Sequence, residues 1–174
     1  MFFVGTYDLT VDGKNRCSIP HPVRSKINCD SDGRAFYVLP GQRPGTLAIY
    51  PERYFEAQRR RALRPEDLTP ELHEWMQFEL ALCYLLDPDN QGRILLPERL
   101  LKRVGIGKEV TLTGVGDHLV LWNRAEFAQF EERRWPDYPE HRQKAMCELR
   151  AVEERTQARP KPERAKGAEP HGAQ

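Results

Sequence analysis

The segment YDLTVDGKNRCSIP, residues 7–20, returns 77 positions later as YLLDPDNQGRILLP, residues 84–97, aligned without a gap. Tyr7/Tyr84, Leu9/Leu86, Asp12/Asp89, Arg16/Arg93 and Pro20/Pro97 are identical, five positions of fourteen, where unrelated segments share roughly one. The chain therefore carries an internal duplication. Whatever it folds into must give the two copies equivalent places.

Each copy runs through apolar and polar residues into a polar turn, DGKNR or DNQGR, and leaves by a short apolar run that stops at proline. Gly13 and Asn15 in one turn, Asn90 and Gly92 in the other, tolerate positive φ, which predicts a β-hairpin for each copy. Asp and Arg then stand four apart across the tip. Taken once, Asp-x-x-x-Arg signals little, since a carboxylate commonly pairs with turn amides or with the arginine itself. Its recurrence in matched context predicts two arginines, Arg16 and Arg93, presented to something outside the fold.

At 174 residues the chain is long enough for one core or for two small repeats sharing one. It is 39% apolar and 30% charged, a polar globular composition. No apolar run approaches the roughly 20 residues of a membrane span, and MFFVGTYD lacks the basic start of a signal peptide, so a cytoplasmic protein is expected. Cys17, Cys29, Cys83 and Cys147 are scattered, without the spacing of a zinc site or a disulfide framework. The net charge is only +1, and residues 155–174 carry +3 of it, leaving −2 on the body. Such a body cannot grip nucleic acid through a broad basic face; it would need local positive tips on an oligomer.

In chain order, residues 2–10 read as a strand, 17–19 as its return, 21–27 as a short helix and 28–33 as a polar loop. AFYVL and TLAIY, joined by PGQRPG, form a further hairpin, followed by a helix to about Leu63 with Tyr54, Phe55 and Ala62 inward and Arg59, Arg60 and Arg61 outward. RPEDL, residues 64–68, breaks it; Thr69 as N-cap and Pro70 start the next helix, with Leu72, Trp75, Met76, Glu79, Leu80 and Cys83 at helical spacing. The second copy repeats the plan: hairpin, helix from Glu98, strands EVTLT and HLVLW around GVGD, and a helix from Arg124. TLAIYPERYF matches HLVLWNRAEF, which places Tyr50, Phe55, Trp122 and Phe127 in the core. The expected class is α+β and β-rich, a β-β-α-β-β-α unit given twice whose hairpins interleave into one barrel. The organisation follows as repeats at 1–64 and 84–134, a linking helix at 65–83, an added helix at 135–156 and a disordered basic tail at 157–174.

These motifs, GTYDLTVDGKNRCSIPHPVR and LLDPDNQGRILLPERL with VTLTGVGDHLVLW in support, resemble the MraZ family of bacterial transcriptional regulators, relatives of the AbrB-type swapped-hairpin DNA-binding domains. The resemblance spans residues 1–134. It implies a swapped-hairpin (double-split) barrel and a nucleoid-associated repressor of a cell-division and cell-wall gene cluster. It also implies double-stranded DNA with short direct repeats, and a second partner in the chain itself as a ring-shaped homo-oligomer. Carried over, its motif arginines are Arg16 and Arg93, with Asp12 and Asp89 shaping the tips; Arg24, in PHPVR, matches a basic position, and Lys14 in the first turn completes the candidate DNA-binding set. Two positions depart from the pattern: Asn15 stands where the family has glycine, and Leu101, with Lys102 beside it, stands opposite Arg24.

An arginine on a two-stranded ribbon suits the work, because its guanidinium pairs bidentately with guanine or clamps a phosphate. One such contact discriminates by about 1–3 kcal/mol, so repetition on an oligomer is needed to reach useful specificity. Other signals fall short. His73-Glu74 lacks the second histidine of H-E-x-x-H, at Gln77, and VGIGKE lacks the first glycine and the hydroxyl residue of a phosphate loop. No nucleophile with a base and no convergent carboxylates are present, so neither an enzyme nor a cofactor is expected. The alternative reading is a protein-interaction scaffold of the same fold that docks its partner through the tips or the tail.

Overall fold

The computed structural model describes residues 2–62 and 69–157. The expected break at 64–68 and the basic tail beyond residue 157 lie outside them. A Phe130/Glu131 boundary divides the chain into two compact units. The first is a mixed α/β unit built on an antiparallel sheet of six strands, ordered β1-β7-β8-β4-β3-β5, with a separate two-stranded ribbon β2-β6.

The strands are β1 (Thr6–Thr10), β2 (Arg16–Ser18), β3 (Phe36–Pro40), β4 (Thr46–Pro51), β5 (Tyr84–Leu86), β6 (Arg93–Leu95), β7 (Glu109–Gly114) and β8 (Leu119–Asn123). Two of the expected hairpins are ladders: β3 pairs with β4 and β7 with β8. The other two are not. β1 pairs with β7, setting Tyr7 opposite Leu112, while β5 pairs with β3 and β2 pairs with β6. Strand lengths explain the exchange. Pro20 ends the return strand, so a hairpin within the first copy could use only the three residues of β2, whereas β7 offers β1 five partners.

The seven helices of the described residues are α1 (His21–Arg24), α2 (Cys29–Asp32), α3 (Glu52–Ala62), α4 (Pro70–Ala81), α5 (Glu98–Val104), α6 (Arg124–Arg134) and α7 (Tyr138–Gln157). α4 starts as its sequence predicts, the Thr69 hydroxyl accepting from Leu72 N at 3.3 Å with Pro70 in the first turn. α2 occupies part of the expected polar loop, because Asn28 caps it by accepting from Asp30 N at 2.9 Å. The VGIGKE turn is clamped by Asn123, which accepts from Gly107 N at 2.7 Å and donates to Gly105 O at 2.8 Å. α7 forms part of the second unit, where Trp135 and Tyr138 stack ahead of it and Lys144 pairs with Glu140 at 2.8 Å.

The main core lies between the sheet and the ribbon. Val38, Leu47, Val110, Leu112, Leu119 and Leu121 from the sheet meet Cys17 and Ile94 from the ribbon, with Phe3, Ile19, Leu96 and Leu100 around them. A smaller cluster of Leu39, Ala48 and Phe55 covers the other face, with Tyr37 stacked on Phe55. Of the four expected core aromatics, Phe55 and Trp122 are buried, while Tyr50 and Phe127 are half-buried. Arg59 does not point outward. It pairs with Glu79 at 2.6 Å and lies over the Phe55 ring, tying α3 to α4. In α4 only Met76 is buried; of the other residues at helical spacing Leu72, Trp75 and Leu80 face solvent, as does Phe78.

Because strands from both copies alternate in one sheet and one ribbon, neither copy holds its core alone. Ile94→Ala, at a fully buried site in the ribbon, is expected to cost about 2–5 kcal/mol. Amide hydrogen exchange followed in urea at β3–β4 of the first copy and at β7–β8 of the second should give superimposable transitions in the variant as in the parent. Separate transitions for the two hairpins would contradict a shared core.

Candidate functional site

The two turns are built alike, bond for bond. Asp12 N donates to Arg16 O at 3.0 Å and Asn15 N to Asp12 O at 2.9 Å; in the second copy Asp89 N donates to Arg93 O at 2.8 Å and Gly92 N to Asp89 O at 2.8 Å. Asn15 and Gly92 both take the left-handed conformation, at φ 60° and 76°. One oxygen of each carboxylate accepts two backbone amides, from Lys14 and Arg16 on Asp12 and from Gln91 and Arg93 on Asp89. The other accepts from Nε of Arg16 or Arg93 at 2.8 Å and from Nη2 at 2.7 Å in both.

Both readings of Asp-x-x-x-Arg are thus present together. The carboxylate satisfies the turn amides and also pins the arginine. Each guanidinium has one edge fixed and keeps further N–H donors, at 33% and 28% side-chain exposure, which leaves it reachable. Fixing a flexible arginine in advance removes part of the ordering cost of any contact it makes.

The ribbon sets where the arginines stand. Arg16 pairs with Leu95, Cys17 with Ile94 and Ser18 with Arg93. Since alternate residues face opposite ways and Cys17 and Ile94 are buried, Arg16, Ser18, Arg93 and Leu95 share the outer face. Arg16 and Arg93 are diagonal neighbours across the ladder, with Cα atoms about 8 Å apart by strand geometry. Ladder hydrogen bonds continue on both sides: Ile19 N donates to Gly92 O and Leu96 N to Asn15 O, each at 2.9 Å. Lys14 is exposed at the first tip. Arg24 is exposed as well, but its Nε donates to Ile19 O at 2.9 Å and its guanidinium lies against Gly92. Leu101 is buried and lines one cavity with Asn15, Asp12 and Gly13.

Several contacts could not be read from one stretch alone. Tyr54 donates to Asp117 at 2.6 Å, Asp117 also holds His118 at 2.7 Å, and His118 stacks on Tyr50, fastening α3 to the β7–β8 turn. Burial, with the Asp117 carboxylate, pushes the Tyr54 hydroxyl up to about 12, so it remains a donor. Arg124 reaches from α6 to Leu9 O at 2.8 Å on β1. The nearest signal in the sequence for the Tyr54 contact was GVGD, read simply as a turn. Among the described residues no group of three or more His, Cys, Asp or Glu is placed to hold a metal ion, and no helix is long and apolar enough to cross a membrane.

A chain from Mycoplasmoides gallisepticum named transcriptional regulator MraZ is 30% identical over 138 residues, covering 79% of this chain and 93% of that protein. The chain belongs to the MraZ family. Transcriptional regulators MraZ from Burkholderia mallei and Burkholderia thailandensis are likewise 30% identical over 130 residues, covering 75% of this chain and 88% of each. The family's own sequence pattern, described as "MraZ protein, putative antitoxin-like", matches residues 81–147. That span includes the second tip and the second ribbon strand of this MraZ-family chain.

The tip carboxylates give a pH test. Asp12 is held down to about 2, chiefly by the Arg16 amide and then its guanidinium, and Asp89 to about 2, chiefly by the Arg93 guanidinium. A depressed value means that the tip contacts are complete above the ordinary carboxylate value of 3.8 and are lost as pH falls through about 2. Carbon-13 titration of both side-chain carboxyls should give midpoints near 2; midpoints near 4 would show that the pairing does not persist in solution.

Proposed function

We propose that the protein is a sequence-specific DNA-binding transcriptional regulator, acting in the cytoplasm on the nucleoid as a repressor of a cell-division and cell-wall gene cluster. The observation that carries this reading is the outer face of the β2-β6 ribbon, where Arg16 and Arg93 stand side by side, each half-pinned by its own aspartate. Such a ribbon fits the major groove, and a separation of about 8 Å spans roughly two to three base-pair steps. Both guanidiniums of one ribbon can then address neighbouring base pairs or their phosphates. Lys14 adds charge at the first tip, and Arg24, lying against Gly92, supports the second. The relatives' name, transcriptional regulator, supports the assignment.

The exchange of β1, β2, β5 and β6 between copies supports a swapped-hairpin, double-split barrel as the architecture. Two arginines yield only a few kcal/mol of discrimination, and the body is close to neutral, so the reading includes a ring-shaped homo-oligomer that sets several ribbons on short direct repeats. Surface for such assembly is available on α4, where Leu72, Trp75, Phe78 and Leu80 lie exposed on an element that is apolar on more than one side.

Replacing Arg16 and Arg93 together by alanine should weaken binding to tandem-repeat DNA from the protein's own upstream region by on the order of a hundredfold. The affinity of the parent should fall steeply with salt in a gel-shift series. Unchanged affinity in a folded double variant would reject the role, and weak salt dependence would favour an apolar protein partner instead. In light scattering after size exclusion, Trp75→Glu should shift the parent's assembly to smaller species; an unchanged mass would remove α4 from the ring contact.

A further inference from the structure

The two tips match in every backbone bond, yet differ in what lies over the left-handed residue. At the second tip that residue is Gly92, which is buried. A Cβ there would sit 2.5 Å from Arg24 Nε and 2.6 Å from its Cζ, so the guanidinium fills the space a side chain would need. The same Nε donates to Ile19 O at 2.9 Å, while Ile19 N donates to Gly92 O at 2.9 Å. Arg24 is therefore joined to the turn that carries Arg93 twice, by contact and through one intervening residue.

At the first tip the left-handed residue is Asn15, which has a Cβ, and the residue in the place of Arg24 is Leu101. Both line the same cavity beside Asp12 and Gly13. Leu101 is buried and has no donor to offer Leu96 O, the counterpart of Ile19 O. Arginine thus accompanies glycine and leucine accompanies asparagine. The two departures from the family pattern, one in each copy, therefore border one cavity, although they stand 86 residues apart in the sequence.

We propose that Arg24 is a positioning residue for the second tip. It acts on recognition through Gly92, by holding the turn that presents Arg93, and Asn15 with Leu101 is the alternative filling of the same space at the first tip. The inference rests on the DNA-binding reading above. It gives the two ribbon arginines different supports: a charged, solvent-exposed strut behind Arg93, and an apolar buried wedge behind Arg16. An arginine at position 24 and a glycine at position 92 then form one unit, and neither should be exchangeable alone.

A transplant tests this. Arg24→Leu removes the strut and leaves Gly92 uncovered, and Gly92→Asn, which keeps a residue tolerant of positive φ, drives the guanidinium away. Each should lower the thermal midpoint and weaken tandem-repeat DNA binding by on the order of fivefold or more. The double variant, which copies the first tip's pair, should lose less stability than the two single losses combined and should recover most of the affinity. In parallel, Leu101→Arg should be destabilising alone and relieved by Asn15→Gly, so the question stays answerable should one single variant fail to fold. The Arg24 Nε–H resonance, slowed in exchange by Ile19 O in the parent, should exchange rapidly in Gly92→Asn. Additive losses in both cycles would overturn the proposal. So would a double variant that regains stability yet binds DNA as weakly as Arg24→Leu, since Arg24 would then touch DNA itself. If the parent fails to bind DNA while the stability coupling persists, the DNA-binding reading fails and the structural coupling stands.

Discussion

The pairing of Cys17 with Ile94 is the contact to which the rest of the first unit is referred. It is short, only three residues on each strand, and it puts two fully buried side chains beneath the ribbon. Those side chains anchor the ribbon to the sheet through the shared apolar core, and alternation then obliges their neighbours on both strands to face out. The outward position of Arg16 and Arg93 is thus a consequence of burying Cys17 and Ile94. A one-residue slip of either strand would bury that strand's arginine and expose its core residue, so burial itself guards the presentation.

The carboxylates of Asp12 and Asp89 finish what the ribbon begins. A turn of this kind leaves amides pointing inward with no backbone partner, and each aspartate supplies one oxygen to two of them. The second oxygen falls where the arginine's edge can meet it. Turn closure and side-chain orientation therefore depend on the same group. This is why Asp and Arg occur four apart in both copies, whereas the residues between them, Gly-Lys-Asn and Asn-Gln-Gly, differ at every position.

Much of this was legible in the sequence because it is local. The capping of α4 by Thr69, the hairpins across PGQRPG and GVGD, and the matched tips depend on residues within a few positions of one another. What was not legible depends on partners far along the chain. The alternation of β1 says that it has one buried face but not that β7, about a hundred positions on, pairs with it. Arg59 was expected in solvent because a run of three arginines on a helix commonly is; Glu79, 20 residues later, turns the first of them aside. For α4, periodicity reports apolar residues at helical spacing and is silent on what covers them, so nothing local said that Met76 alone would be buried. Arg24 was legible as a cation and Gly92 as a turn residue, but their contact belongs to the fold.

Joining both copies in one polypeptide has a consequence that a symmetric pair of half-length chains would not share. The ribbon forms by closure within a single molecule, so its population does not depend on protein concentration. Nor does a change in one arm impose itself on the other. In a two-chain version every substitution would appear twice, and an asparagine at the left-handed position would have to suit both faces at once. Here each arm is free to drift under its own constraints, and the chain presents a polar object, with a distinguishable front and back, to whatever it meets.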